Sequence, residues 1–461
     1  MALLSIRIIA IDFRVGTTTK DHPVFLLAGL LLGAGTIWLC LIPFIKNGIK
    51  GELSAAQQAR LSVLAILIGL ALRAMFLGST PIYEDDWNRY LWDGAAAAHH
   101  ISPYQYSPQD ISQGLASGTV VTPKQNRDLS TLKALSAKND HFVDGINNPH
   151  LTTIYPPVAQ SAFMLASFIK PFNLDALRIL FLLSEAIALF LIIKALGLYD
   201  RSPLWVVLYA LNPLIIFTGF NAAHMDILLV PFMLGAILSL GKRPLLAAFM
   251  LACAVSIKLW PLILGPVLFR RYSKQLLHYL FYGLCFGIMS LVLCWPMLVQ
   301  IMGESAGNSG LGAYSATWQR SSFIFPHLEK TLSFITSNGP IAARIIIALI
   351  ISLAAFGLGM HRKFQSVQLP KALLILTLLL FLLSPTGFPW YVIWFAFLIP
   401  FAPLYGAAAL CVTTALYYIR FWMGEHGHYD LYTGWIVTLQ FGIPILLLFF
   451  ETIKTPRHVK P

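Results

Sequence analysis

Glu84-Asp85-Asp86 opens the stretch of this 461-residue chain richest in groups that could do chemistry. It runs on as Trp87-Asn88-Arg89-Tyr90-Leu91-Trp92-Asp93-Gly94 and reaches Pro103-Tyr104. A carboxylate within reach of a hydroxyl can take its proton in a transition state, so such a cluster is raw material for general base catalysis. Arg89 stands one helical turn beyond Asp85 and Asp86, and Asp93 one turn beyond Arg89, a spacing that sets opposite charges on one helix face. The functional expectation is a carboxylate base of this cluster held in position by Arg89. The same spacing also describes a salt-bridge ladder at an interfacial helix end, with Trp87 and Tyr90 at headgroup depth.

Other ionisable groups sit in or beside apolar sequence, where charge is expensive and by default marks function. His224 and Asp226 lie at the edge of one apolar segment and Lys258 lies inside another. Such a lysine requires an anion, a carboxylate of the protein or a phosphate of a ligand, unless it snorkels outward. Further along, Trp318 has the type to stack on a sugar face and Arg320 the type to contact phosphate. Tyr155-Pro156-Pro157 precedes a span, and two prolines at a helix start need no functional explanation. Ser384-Pro385-Thr386-Gly387-Phe388-Pro389-Trp390-Tyr391 reads as a turn leading into an aromatic belt. HExxH, GxSxG, P-loop and dinucleotide signatures do not occur, so ATP or NAD chemistry is not expected. The five cysteines all fall in apolar blocks without zinc or redox spacing.

These side chains must be held by the elements around them. The chain is 57% hydrophobic and 11% charged, with a mean hydropathy of +0.72. Soluble domains carry roughly 25% charged residues, so a soluble enzyme, a disordered chain and a secreted disulfide scaffold are excluded. Apolar segments lie near 24–45, 60–78, 157–170, 175–197, 203–221, 226–240, 245–269, 276–296, 341–359, 371–384, 391–402, 404–419 and 434–450. They predict an all-α polytopic membrane protein with about 11–13 transmembrane segments. Two long stretches, 79–156 and 297–340, separate them, and loops of that length are usually functional.

The net charge of +12 is concentrated in five short segments: 46–60, 241–244, 270–278, 360–371 and 451–461. They hold fourteen Lys and Arg but only Glu52 and Glu451 as acids, which accounts for the whole excess. That is the positive-inside pattern of cytoplasmic loops, and it excludes a nucleic-acid reading of the charge. Counting crossings with those loops inside requires 203–221 and 245–269 each to be a hairpin of two short helices. Asn212-Pro213 and Trp260-Pro261 offer the breaks. Half-spanning helices survive only in protein or along a cavity, so an outward-facing cavity is expected.

Taken in order, the motifs resemble those of GT-C glycosyltransferases over roughly 80–395, most of all the bacterial polyprenyl-phosphate-dependent mannosyltransferases (GT87-like). The pieces are Glu84-Asp85-Asp86-x-x-Arg89-Tyr90-x-Trp92-Asp93-Gly94 with Pro103-Tyr104, Tyr155-Pro156-Pro157, His224-x-Asp226, Lys258 before Pro261, Trp318 with Arg320, and Ser384-Pro385 with Pro389-Trp390-Tyr391. The sequence departs from the family pattern in reading Gln319 where Asn usually follows the tryptophan, and Phe388 where His usually precedes Pro-Trp-Tyr.

The resemblance implies one GT-C-like transmembrane domain, 1–461, with two long outward loops carrying amphipathic helices. It implies transfer of a sugar, mannose first, from a polyprenyl-phosphate donor to a lipid-linked or glycan acceptor, with inversion, at the outer face of the bacterial inner membrane. Asp86, or Asp85 beside it, would be the base and Arg89 its orienting partner. Lys258 and Arg320 would meet the departing phosphate, and His224 and Asp226 would line the sugar or acceptor pocket. Glu84, Tyr90, Asp93, Tyr155 and Trp318 would complete the substrate contacts. No metal or other cofactor is indicated, and the expected partners are donor, acceptor and membrane lipids, with no nucleic acid. The rival readings are a lipid-linked sugar flippase or transporter, whose folds often carry inverted repeats, and an oligosaccharide ligase or polymerase. No repeat is visible here.

Overall fold

A computed structural model describes residues 1–13, 24–113, 122–139, 143–303, 309–361 and 367–454. Arg362, Lys363, Arg457 and Lys460, four of the basic loop residues, lie outside them. Long uninterrupted Leu, Ile, Phe and Ala runs leave the backbone no route to water, and the helix satisfies its hydrogen bonds within the segment. Six helices are long and apolar enough to cross a membrane: Val24–Glu52, Ala55–Ala74, Leu174–Leu198, Leu276–Met302, Gly339–Met360 and Tyr429–Glu451. Less than half of each is buried inside the protein. Leu67, Phe190, Leu284 and Leu353 instead point outward, as a lipid-facing surface requires. Shorter apolar helices, Met225–Ser239, Pro244–Val255 and Leu369–Leu383 among them, fill the interior. Among the described residues the regular structure is entirely helical, and a single isolated bridge joins Arg320 to Thr386. The chain is an all-α polytopic membrane protein.

The segment 203–221 breaks where the prolines predict, but it does not turn back. Pro203–Ala210 and Pro213–Asn221 meet at 52°, so the second half continues onward. Ser202 Oγ, at the start, donates to Gln58 Oε1 at 2.6 Å. Asn221, at the far end, accepts from Ile82 N at 3.0 Å and donates to Thr80 O at 2.9 Å. These partners flank opposite ends of helix 55–74, so 203–221 crosses once, as a bent span. Pro213 has no N–H, which frees carbonyls in the turn before it. Arg73 fills that gap: Nη1 donates to Ala210 O at 2.7 Å and to Gly69 O at 2.9 Å. Its Nε pairs with Glu185 Oε2 at 2.8 Å, and Tyr209 OH donates to Glu185 Oε1 at 2.7 Å.

The block 157–170 also departs from expectation. Helix Pro157–Ile169 is about 20 Å long at 1.5 Å per residue, short of the roughly 30 Å hydrocarbon core. It lies against Asp86–Ala98 instead, so closely that a Cβ on Gly94 would stand 2.4 Å from Phe163 O. The next helix then begins beside the acid motif, where Gly78 N donates to the Asp175 carboxylate at 2.9 Å. One crossing fewer here and one fewer at 203–221 offset each other. The later segments therefore keep their expected alternation.

Segment 244–272 does form the expected hairpin. It leaves the Leu240 end, reaches Lys258 at its tip and returns, so that Tyr272 OH donates to Leu240 O at 3.0 Å. The basic segments accordingly gather at one end of the bundle. Lys46 lies over the Tyr405 ring at 4.5 Å, Tyr405 N donates to Glu451 Oε1 at 2.7 Å, and Arg270 donates to Val367 O. The acid motif, the tip of 244–272 and the turn 384–389 gather at the other.

Candidate active site

Asp85 stands at the N-terminal boundary of helix Asp86–Ala98 without a side-chain capping bond, and Asp86 occupies the first turn, where the helix dipole favours negative charge. Tyr83, at φ 58°, turns the chain immediately before the acids through the left-handed region that few side chains adopt. Glu84, Asp85 and Asp86 then form one wall of a cleft of about 490 Å³. Lys258, Tyr155, Trp318 and Arg320 line the same cleft. Residues from four distant parts of the chain thus meet around one cleft.

The acids are held by groups other than Arg89. Asn147 Nδ2 donates to Asp85 Oδ1 at 2.7 Å and to Asp86 Oδ1 at 3.1 Å. His224 sits behind them, Nδ1 3.6 Å from Asp86 Oδ2 and Nε2 3.3 Å from Glu84 Oε2. Tyr418 OH donates to Glu84 Oε1 at 3.2 Å. Burial, followed by the charge of Asp86, pushes the Asp85 carboxyl up to about 7 against the opposing Asn147 hydrogen bond. Burial also raises Glu84, while His224 pulls the other way.

Arg89, expected to orient the base, turns to Asp93. Its Nε meets Asp93 Oδ1 at 2.9 Å and its Nη1 donates to Leu151 O at 3.0 Å. Asp93 is 1% exposed and has no water to lean on, while Asp86 keeps 24% of its side chain open. The buried carboxylate therefore takes the guanidinium, and Gln160 Nε2 completes its shell at 2.9 Å. Asp93 and Tyr90 do not line the cleft: Tyr90 is packed on Phe163, ring centroids 4.6 Å apart, and edge-on to Tyr155.

His224 and Asp226 also lie behind the wall, both fully buried. Trp390 covers His224 in a face-to-face stack at 3.7 Å. Asp226 is the anion that Lys258 requires: the ammonium lies 2.9 Å from Oδ1, while Trp394 Nε1 donates to the same oxygen at 2.7 Å. Lys258 also lies over the Tyr391 ring at 4.9 Å.

The opposite rim joins two loops. Arg320 N donates to Pro385 O at 3.0 Å and Gly387 N to Arg320 O at 2.9 Å. Ser322 Oγ donates to Ser384 O at 2.7 Å, and Tyr314 OH contacts Tyr391 OH at 2.6 Å and Thr386 Oγ1 at 3.1 Å. Gly387 is required at this junction, because a Cβ there would lie 2.4 Å from Ser321 O.

Two cleft residues escaped the reading of the sequence. Asn147 gave no signal, being one polar residue in a polar loop. Arg420 did give one: it interrupts Tyr417-Tyr418-Ile419-Arg420-Phe421-Trp422, a charge at the end of an apolar span. Among the described residues no group of three or more His, Cys, Asp or Glu is arranged to hold a metal ion.

Bundle and cleft together define a multi-pass membrane protein with acids and cations lining one aromatic-rich vestibule at one end. The model of glycosyltransferase family 87 matches residues 153–385, just over half of the chain. The chain belongs to that family and is a membrane glycosyltransferase. No curated protein and no solved structure matches it. The matched segment carries Tyr155, His224, Asp226, Lys258, Trp318 and Arg320 and begins after the acid cluster.

Proposed function

We propose that the cleft transfers a sugar, mannose in the first instance, from a polyprenyl-phosphate donor to a lipid-linked or glycan acceptor. The whole chain acts as one transmembrane domain, and the cleft opens on the outer side of a bacterial cytoplasmic membrane, opposite the basic loops. The observation that carries the reading is the side-by-side pair Asp85 and Asp86, tied by Asn147 and sharing one cleft with cations. Asp86 accepts the proton of the acceptor hydroxyl as its oxygen bonds to the anomeric carbon. The bond from that carbon to the phosphate oxygen breaks with inversion, and its electron pair leaves on polyprenyl phosphate. Such a leaving group departs already anionic, so positive charge assists it more than a general acid does.

Purified full-length protein in liposomes, given radiolabelled polyprenyl-phosphate sugars and membrane acceptors, tests this. Asp86→Asn is expected to lower the rate of transfer by about 10²–10⁴, the usual worth of a general base, and Asp85→Asn to lower it less. Full activity in both variants removes the base assignment. Movement of labelled lipid between leaflets without a new glycosidic bond would point to a flippase.

A further inference from the structure

Four cations line the cleft, Arg89, Lys258, Arg320 and Arg420, and they differ in what they already hold. Lys258 is committed to Asp226, a fully buried carboxylate that would be left uncompensated without it. Arg89 is committed to Asp93 and to the Leu151 carbonyl. A cation whose charge is already matched at contact distance has little left for an incoming anion. Among the described residues neither Arg320 nor Arg420 has an acid within ion-pair distance.

Arg420 is the better placed of the two. Its guanidinium lies over the rings of Tyr417 and Phe421, at 4.7 and 4.5 Å, and its Nε is buried without a hydrogen-bond partner. Stacking fixes the plane of a guanidinium while leaving its in-plane N–H edge for a bidentate oxyanion. Glu84 feels Arg420 only at longer range. Arg320 is exposed at the rim, its backbone pinned by the bonds to Pro385 and Gly387.

We propose that Arg420 is the principal phosphate ligand of the cleft, with Arg320 assisting from the rim, and that Lys258 serves the wall as the partner of Asp226. This rests on the reading of the donor as a lipid-linked phosphate. It moves the expected phosphate contact from the middle of the family-matched segment to a residue beyond it.

The test is binding, separate from transfer. The full chain in nanodiscs is titrated with farnesyl phosphate and with farnesol, reading the tryptophan emission of the cleft. Wild type is expected to bind the phosphate at least about tenfold more tightly than the alcohol, as charge-assisted hydrogen bonds allow. Arg420→Ala should abolish most of that preference with farnesol affinity unchanged, and Arg420→Lys should retain part of it. The double variant Asp226→Asn with Lys258→Met, which removes the buried pair together, should keep it. If Arg420→Ala loses farnesol binding as well, Arg420→Gln decides by the same criterion. A preference that persists without Arg420 and disappears with the Asp226–Lys258 pair overturns this assignment and leaves the transferase reading standing. A wild type with no preference for phosphate overturns the donor reading and the assignment together.

Discussion

Asp85 gives the cleft a titration near neutrality. With its carboxyl raised to about 7 by burial and by Asp86, it is neutral below that pH and charged above it. Protonation there withdraws a negative charge from the pair that must accept the acceptor's proton. We therefore expect kcat/KM for transfer to fall as pH drops through 7 and then level off, and Asp85→Asn to lose that limb. A profile flat from pH 5.5 to 8.5 would sink the assignment. The acids were readable because three adjacent carboxylates at a membrane exit are costly without a purpose. The partner of Arg89 was not readable, because helical spacing offers it acids on both sides and only burial chooses between them. Asp93 is dry and Asp86 is not. Lys258 announced its need for an anion, while Asp226 as the answer required the fold.

Breaks at proline are legible at the scale of the element; the direction the chain takes after them is not. Asn212-Pro213 marks the interruption of 203–221, but the 52° bend that keeps it a single crossing depends on Arg73 reaching the freed carbonyl of Ala210 from another helix. Arg73 and Glu185 are both wholly buried. Arg73→Met leaves Glu185 a lone buried charge, and it should cost about 3–5 kcal/mol of stability, seen as a lowered thermal midpoint in detergent. Arg73→Met combined with Glu185→Leu should recover a good part of that loss. Equal midpoints for wild type and the single variant would show that the pair does not hold the bend. The length of 157–170 was a clue within the sequence, since so short a helix does not reach across a bilayer. Its resting place along helix 86–98 depends on Gly94, whose role only the packing reveals.

The Lys- and Arg-rich segments gather at one end of the molecule even though 157–170 and 203–221 each make one crossing fewer than the sequence suggested, because both adjustments fell between the same pair of loops. In a variant with its five cysteines replaced, Asp144→Cys and His150→Cys should react with an impermeant maleimide in sealed cells. Gln57→Cys and Lys274→Cys should react only after permeabilisation. Labelling of positions 57 and 150 from the same side would refute the arrangement. The family match covers the middle of the chain, while the acids precede it and Arg420 follows it, so the vestibule is assembled from inside and outside the recognised portion. Its rim has a mechanical consequence. Backbone bonds through Arg320, reinforced by Ser322 and Tyr314, weld two sequence-distant loops into one stiff hoop. A bulky substrate entering past them would have to lift the hoop as a unit, so trimming either loop alone would not widen the doorway until that seam is cut.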